Sequence, residues 1–246
     1  MGATRIQLCG PLLVRLDDRR LEDHLAGRQL RLLFVYLVLA REGLSTRERP
    51  VDALWGEAPP PAADAALSAL FSRLRRSLPP ACPSGRSEIR LVLPADAWVD
   101  YEQAAVACHR GGSARARGDW PAVFTASLVA YYIARRGFLP GEELPWVEDH
   151  RRYLAGVLLD ARECFGEACL ALGGAELPGA LRSGRELIKL APYRETGYRI
   201  LMGALAAEGK VAEALRVYDG LRVRLADELG ASPSPDLQRL ELRLPG

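Results

Sequence analysis

Two segments near the C-terminal end of the chain repeat each other at an interval of 34 residues. The first, ELPGALRSGREL, places Ala180 34 residues before Ala214 of the second, KVAEALRVYDGL, and Leu187 and Leu221 repeat at the same interval. This period, with small residues at the helix contact, matches the helical pairs of tetratricopeptide repeats. Because such pairs bury their apolar faces by stacking, the pattern predicts an all-α, tetratricopeptide-like helical-repeat domain.

The N-terminal part of the chain has a different pattern. Two short strands, RIQLC and LLVRL, are predicted between residues 5 and 16, followed by a turn at DDRR. Three helices are then predicted, over residues 27–42, 46–55 and 63–78, and a strand follows at EIRLVL. Beyond residue 100 the pattern is helical. We therefore predict two domains, 1–99 and 100–246, in a mainly α protein.

The third predicted helix carries three arginines in four positions, in the stretch ALSALFSRLRRSLPP. At 100° per residue, its leucines and Phe71 fall within one arc, which predicts the face turned to the core. The opposite face holds small residues in its first two turns and arginines near its C-terminal end. A solvated helix whose arginines favour the helix dipole would also fit this pattern. However, no acidic residue follows Asp64 in this helix to neutralise the arginines.

A third helix followed by a strand is the order in which a winged helix-turn-helix presents its recognition helix to the major groove. The small residues would then approach base edges, and the arginines would reach phosphates or guanine. Arg47, in the second predicted helix, and Arg90, in the strand that follows the third, are further candidates for DNA contact. The predicted DNA-binding residues are Ser68, Ala69, Ser72, Arg73, Arg75, Arg76, Arg47 and Arg90.

Composition and motifs argue against other classes of protein. The net charge is only +2, so charge alone predicts no polyanionic partner. The most apolar run, residues 32–40, is shorter than the roughly 20 residues of a membrane span, and we expect a cytoplasmic protein. No cysteine pair has zinc-ligand spacing, and no metal or cofactor is expected. The stretch GALAAEGKV departs from a phosphate-binding loop in its spacing and at Val211, and the chain is predicted not to be an enzyme.

Specific segments resemble those of a known family. The stretch from RLLFVYLVLA through DALWG and the proline-rich break to SRLRRSL resembles the response-regulator-type winged helix-turn-helix of the Streptomyces antibiotic regulatory protein family. The stretches RGFLPGEELPWVEDHRRYL and APYRETGYRILMGALAAEGKVAEALRVYDGL resemble that family's bacterial transcriptional activator domain. The wing, ACPSGRSEIRLVLP, is shorter than is common in the family, and Pro50 interrupts the second helix.

This resemblance implies a transcriptional activator, specific for a secondary-metabolite (antibiotic) pathway. Its expected partners are double-stranded DNA, in the form of direct repeats near the −35 region, and the RNA polymerase holoenzyme. Weak or DNA-induced self-association would place two copies head to tail on the repeats. A helical-repeat scaffold or anti-activator that binds DNA weakly stays open as the alternative.

Overall fold

The computed structural model describes residues 3–17, 19–41, 45–46, 48–78, 88–89 and 91–244. The chain divides into two compact units, and each unit is formed by two separate segments. Unit 1 consists of Met1–Gln103 and Arg136–Tyr153, and unit 2 consists of Ala104–Arg135 and Leu154–Gly246.

The described residues form six short strands and ten α-helices. The strands are β1 (Arg5–Gln7), β2 (Leu13–Leu16), β3 (Arg19–Arg20), β4 (Ser45–Thr46), β5 (Glu88–Ile89) and β6 (Trp98–Val99). The helices are α1 (Arg28–Leu39), α2 (Glu48–Trp55), α3 (Ala63–Ser77), α4 (Asp100–Ala116), α5 (Trp120–Ala134), α6 (Pro145–Leu172), α7 (Leu177–Leu190), α8 (Glu195–Ala207), α9 (Val211–Leu229) and α10 (Pro235–Arg243).

Unit 1 contains a four-stranded sheet in the order β3-β2-β1-β6. The first three strands are antiparallel neighbours, whereas β6 runs parallel to β1. Side chains alternate between the two faces of a strand, and Ile6, Val14 and Leu16 are buried in the core while Arg5 and Arg15 are exposed. The turn after β2 is shorter than the predicted turn at DDRR, because the last two residues of that stretch form β3.

The three helices of the N-terminal segment lie close to their predicted positions. Helix α1 is apolar over most of its circumference and buries seven side chains, so it forms the centre of the unit 1 core. Helix α2 begins at Glu48, which places Pro50 in its first turn, where a missing backbone N–H leaves no helical hydrogen bond unmade. Strand β4 pairs with β5 in a separate two-stranded sheet.

The segment Arg136–Tyr153 is bound to the start of the chain through backbone and side-chain contacts. The N–H of Gly10 donates to the carbonyl of Gly137 at 2.8 Å, and the N–H of Leu139 donates to the carbonyl of Leu8 at 3.1 Å. Phe138, which is fully buried, forms an isolated antiparallel bridge with Cys9. The segment Arg136–Tyr153 therefore contributes Phe138 to the unit 1 core, beside the residues that follow β1.

A buried carboxylate connects the same elements. Asp100, the first residue of α4, is fully buried and accepts hydrogen bonds from the N–H groups of Leu8 at 2.7 Å and Cys9 at 3.2 Å. The guanidinium of Arg136 lies 3.0 Å from the same carboxylate. A buried charge is tolerated where it is paired and hydrogen-bonded. Asp100 therefore connects the residues directly after β1, the start of α4 and the segment Arg136–Tyr153.

Unit 2 is helical throughout its described residues and is built from closely packed pairs. The repeated positions are equivalent in the fold, because Ala180, Ala214, Leu187 and Leu221 are all fully buried. Helix α9 ends where Gly230 takes a left-handed conformation with φ +63°, a common way to terminate a helix. The close helix contacts explain why small residues recur at a period of 34.

The predicted fold class is confirmed: a small winged helix-turn-helix with little β structure is followed by an all-α, tetratricopeptide-like region. The boundary between domains 1–99 and 100–246 stays a prediction. The compact units group residues by contact, and unit 1 includes a segment from beyond that boundary.

Candidate nucleic-acid interface

Helix α3 presents the predicted recognition face because its apolar side chains all lie on one side. Leu67, Leu70, Phe71 and Leu74 are buried in the unit 1 core, at the spacing of one helical face. Leu78, directly after the helix, is also fully buried. Burying these five side chains fixes the rotation of α3 about its axis, so the residues between them must face solvent.

The opposite face of α3 is exposed as the sequence predicts. The structure brings together on this face the six candidate residues that belong to the helix, all of them exposed: Ser68, Ala69, Ser72, Arg73, Arg75 and Arg76. Asp64, in the first turn, is the acidic residue of this helix. The face is therefore polar and small toward its N-terminal end and cationic toward its C-terminal end.

The two serines of this face hydrogen-bond to the helix backbone. The hydroxyl of Ser68 donates to the carbonyl of Asp64 at 2.8 Å, and the hydroxyl of Ser72 donates to the carbonyl of Ser68 at 2.9 Å. With their hydrogens engaged, these oxygens still offer acceptor lone pairs. In this arrangement they can accept a hydrogen bond from the amino group of cytosine or adenine.

Arg73 has a second role that the sequence did not indicate. Its Nη2 donates to the carbonyl of Ala26 at 2.7 Å, and the hydroxyl of Ser77 donates to the carbonyl of His24 at 3.0 Å. These two contacts attach the C-terminal end of α3 to the segment that precedes α1. A guanidinium has five N–H donors, so Arg73 retains donors that could bind a phosphate.

Arg76 is attached to the rest of the protein less closely than Arg73. Its Nε lies 3.4 Å from the carbonyl of Ser72, one turn earlier, and its side chain is exposed. Among the described residues, no carboxylate oxygen lies within 4.0 Å of Arg73 or Arg76, so their charge is not neutralised by an ion pair there. Such a cation near a helix terminus can attract a phosphate group.

Two predicted contact residues, Arg47 and Arg90, lie outside the described residues, as do residues 81–87 of the predicted wing. Thr46, directly before Arg47, is exposed in β4, and β4 pairs with β5. The structure therefore describes the two-stranded sheet beside these positions, and DNA contact by Arg47 and Arg90 stays a prediction.

Other chemistry receives little support from the described residues. Burial raises the pKa of Cys9 to about 12, and burial raises the pKa of Cys164 and of Cys169 to about 11. These thiols are protonated near neutral pH, whereas only a thiolate is a good nucleophile. In the part of the chain that the structure describes, no group of three or more His, Cys, Asp or Glu side chains could hold a metal ion. None of its helices has both the length and the apolar character of a membrane span.

Comparison with known proteins places the chain among transcriptional regulators. It is 32% identical to the regulatory protein AfsR of Streptomyces coelicolor over 99% of this chain and 24% of that protein. It is 25% identical to the transcriptional regulatory protein MoaR1 of Mycobacterium bovis, over 97% of this chain and 78% of that protein. The chain thus spans about a quarter of AfsR and most of MoaR1.

A solved structure has the same fold. Mycobacterium tuberculosis EmbR, in complex with a low-affinity phosphopeptide, superposes with a TM-score of 0.84 over 99% of this chain and 65% of the EmbR chain, at 24% identity.

The sequence pattern of the family described as the bacterial transcriptional activator domain matches residues 99–244, more than half of the chain. The chain therefore belongs to the bacterial transcriptional activator domain family, within the Streptomyces antibiotic regulatory protein group of transcriptional regulators.

Proposed function

We propose that this regulator is a sequence-specific DNA-binding activator that inserts α3 into the major groove. The observation that carries the proposal is the division of α3 into a fully buried apolar face and an exposed face with small residues and three arginines. A helix with side chains is about 10–12 Å wide, which suits a major groove about 12 Å wide. The small residues allow close approach, and the arginines supply attraction to phosphate.

The operator in this proposal is a pair of direct repeats near the −35 region, spaced by about one helical turn of 10–11 base pairs. One small winged helix covers few base pairs, so a second copy bound head to tail would raise discrimination against competing sites. Head-to-tail contact is heterologous and needs no two-fold dimer in solution. The bound protein would recruit the RNA polymerase holoenzyme in the cytoplasm and switch on a secondary-metabolite pathway.

The test is the affinity of the full chain for promoter DNA, measured by fluorescence anisotropy over a range of salt concentrations, with footprinting to locate the repeats. Arg76→Ala should weaken binding to operator and unrelated DNA alike and reduce the slope of log affinity against log salt by about one. Arg76 is the better probe, because Arg73→Ala also removes the contact to Ala26.

The matched control is Arg216→Ala, which removes an exposed arginine from α9 in unit 2. It should leave both the affinity and the slope unchanged. If Arg76→Ala and Arg73→Ala together retain the original affinity and slope, α3 is not the DNA-binding element.

The second candidate function is a helical-repeat scaffold or anti-activator. The observation in its favour is that Ser68 and Ser72 direct their hydroxyl hydrogens into the helix backbone, which reduces the donors available for base readout. A scaffold would bind DNA weakly, with no sequence preference, while still binding polymerase or another regulator. A steep salt slope together with a defined footprint would exclude it.

A further inference from the structure

Three arginines and a tryptophan form a single row across the four-stranded sheet of unit 1. The strand register places Arg15 directly opposite Arg5 on one side and opposite Arg20 on the other. Arg5 is in turn directly opposite Trp98. Because neighbouring strands lie about 4.8 Å apart, the row extends for roughly 14 Å. We refer to Arg5, Arg15, Arg20 and Trp98 as the arginine row.

The arginine row lies on the outer face of the sheet. The intervening residues Ile6 and Val14 are buried, so the row points away from the unit 1 core. It lines a groove of about 450 Å³ together with Gln7, Leu13 and Glu22. Trp98 is 37% exposed and Leu13 is 40% exposed, so the groove has an apolar part beside its cationic part.

Most of the charge in this groove has no internal partner. Like charges directly opposite each other destabilise a sheet, and Arg15 has an arginine on both sides. Glu22 forms an ion pair with Arg20 at 2.6 Å. Within the described residues, no carboxylate lies within 4.0 Å of Arg5 or Arg15. An anionic partner would offset the repulsion along the row.

We propose that the arginine row is a docking surface for an acidic α-helix of a partner protein. Carboxylates at positions i, i+4 and i+7 of a helix follow one another at about 4.5–6 Å along its axis. That interval matches the spacing between adjacent strands, so three carboxylates can face Arg20, Arg15 and Arg5 in order. The next turn of the helix then brings an apolar residue to Trp98.

The apolar end of the groove distinguishes this partner from a nucleic acid. Phosphate contacts supply charge but leave an exposed indole and a leucine without an apolar partner, whereas protein interfaces are enriched in aromatic and arginine side chains. Protein interfaces also concentrate their binding energy in tryptophan and arginine. The proposal does not depend on DNA binding by α3, because no residue of the arginine row belongs to that helix.

The experiment uses the full chain and a fluorescent, hydrocarbon-stapled helical peptide with glutamates at i, i+4 and i+7 and a leucine at i+11. Binding is measured by anisotropy. Arg15→Glu should weaken the complex by about tenfold or more, since three charge pairs lose their central member. The same change turns two like-charge pairs within the sheet into two opposite pairs, so the melting temperature should stay level or rise. Lost binding therefore cannot be attributed to unfolding.

The matched control is Arg19→Glu, because Arg19 is exposed in the same strand as Arg20 but lies opposite Leu16, outside the row. The affinity of the Arg19→Glu protein for the peptide should differ from that of the unaltered protein by less than twofold. A peptide whose central glutamate is replaced by lysine should regain binding to the Arg15→Glu protein. Recovery by this reversed pair requires direct contact between that peptide position and residue 15.

Four results would overturn the proposal. The peptide does not bind; a scrambled peptide of the same composition binds equally well; Arg19→Glu weakens binding as much as Arg15→Glu; or an unrelated DNA duplex displaces the peptide, which makes the row a nucleic-acid surface. DNA affinity of Arg15→Glu, measured in parallel, separates this proposal from the one for α3. A protein that keeps its DNA affinity and loses the peptide supports the docking surface alone.

Discussion

The contact between α7 and α8 leaves no room for a side chain at Gly184, and this allows a quantitative test of the helical-repeat packing. A Cβ atom added at Gly184 would lie 2.8 Å from the Cβ of Leu201, 2.9 Å from its backbone nitrogen and 3.0 Å from the carbonyl oxygen of Gly197. Two of these three neighbours are backbone atoms of α8, which cannot rotate away. Gly184→Ala therefore forces the two helices apart.

The expected cost follows from two opposing effects. Overpacking a closely packed site costs about 1–3 kcal/mol, and backbone neighbours place this site near the upper end. Alanine in place of glycine in a helix returns about 1 kcal/mol. The free energy of unfolding should fall by about 2 kcal/mol, which corresponds to a melting temperature lower by roughly 4–8 °C in a chain of this size.

The assay is thermal unfolding followed by far-ultraviolet circular dichroism, with Gly220→Ala as the control. Gly220 lies in α9 and is exposed, and a Cβ there would meet no atom within 4 Å. Its substitution should raise stability by about 0.5–1 kcal/mol through helix propensity alone. If Gly184→Ala raises the melting temperature as much as Gly220→Ala does, the close approach of α7 and α8 is not present.

Two further predictions concern unit 1. Burial lowers the pKa of His150, whose Nδ1 lies 2.7 Å from the hydroxyl of Tyr101. The imidazole therefore takes up a proton more readily in the unfolded chain, so the free energy of unfolding should decrease as the pH falls below about 6.5. His150→Gln should flatten the melting-temperature profile below that pH. An unchanged profile would contradict the reasoning. Phe138→Ala should lower the free energy of unfolding by about 3–5 kcal/mol. It should accelerate hydrogen exchange at the amides of Gly10 and Leu139 and leave exchange in α8 unchanged. Uniform acceleration would show that the two units do not open separately.

The sequence predicted the candidate interface because its determinants are local. A period of 3.6 residues separates the buried Leu67 and Leu74 from the exposed Ser72 and Arg76 without knowledge of any other element. The small residues that recur at an interval of 34 can likewise be recognised in the sequence without knowledge of any tertiary contact. The hydrogen bond from Arg73 to Ala26 was not predictable in this way, because it depends on how the end of α3 meets a segment far away in the sequence.

The arginine row and the contacts of the segment Arg136–Tyr153 could not be predicted from the sequence, for a related reason. Alternation in RIQ and LVRL predicts that Arg5 and Arg15 face outward, but alternation does not fix which residues lie opposite each other. The register of β1, β2 and β3 aligns the three arginines, and the parallel pairing of β6 with β1 brings Trp98 to Arg5. Similarly, the indole of Trp146 donates to the carbonyl of Ala53, a contact between residues that are far apart in the sequence.

Net charge misrepresents this protein, since a total of +2 gives no indication of two separate groups of arginines. At physiological ionic strength a charge is felt over about 8 Å, so each surface is governed by its own neighbours rather than by the total. Arg73 and Arg76 are one helical turn apart, and Arg15 is one strand away from Arg5 and from Arg20. Within each group the charges reinforce one another, and among the described residues Glu22, which pairs with Arg20, is the carboxylate that partly offsets the arginine row. Sheet register and helix phase therefore determine which arginines are grouped together, and in the two proposals each group binds its own anionic partner.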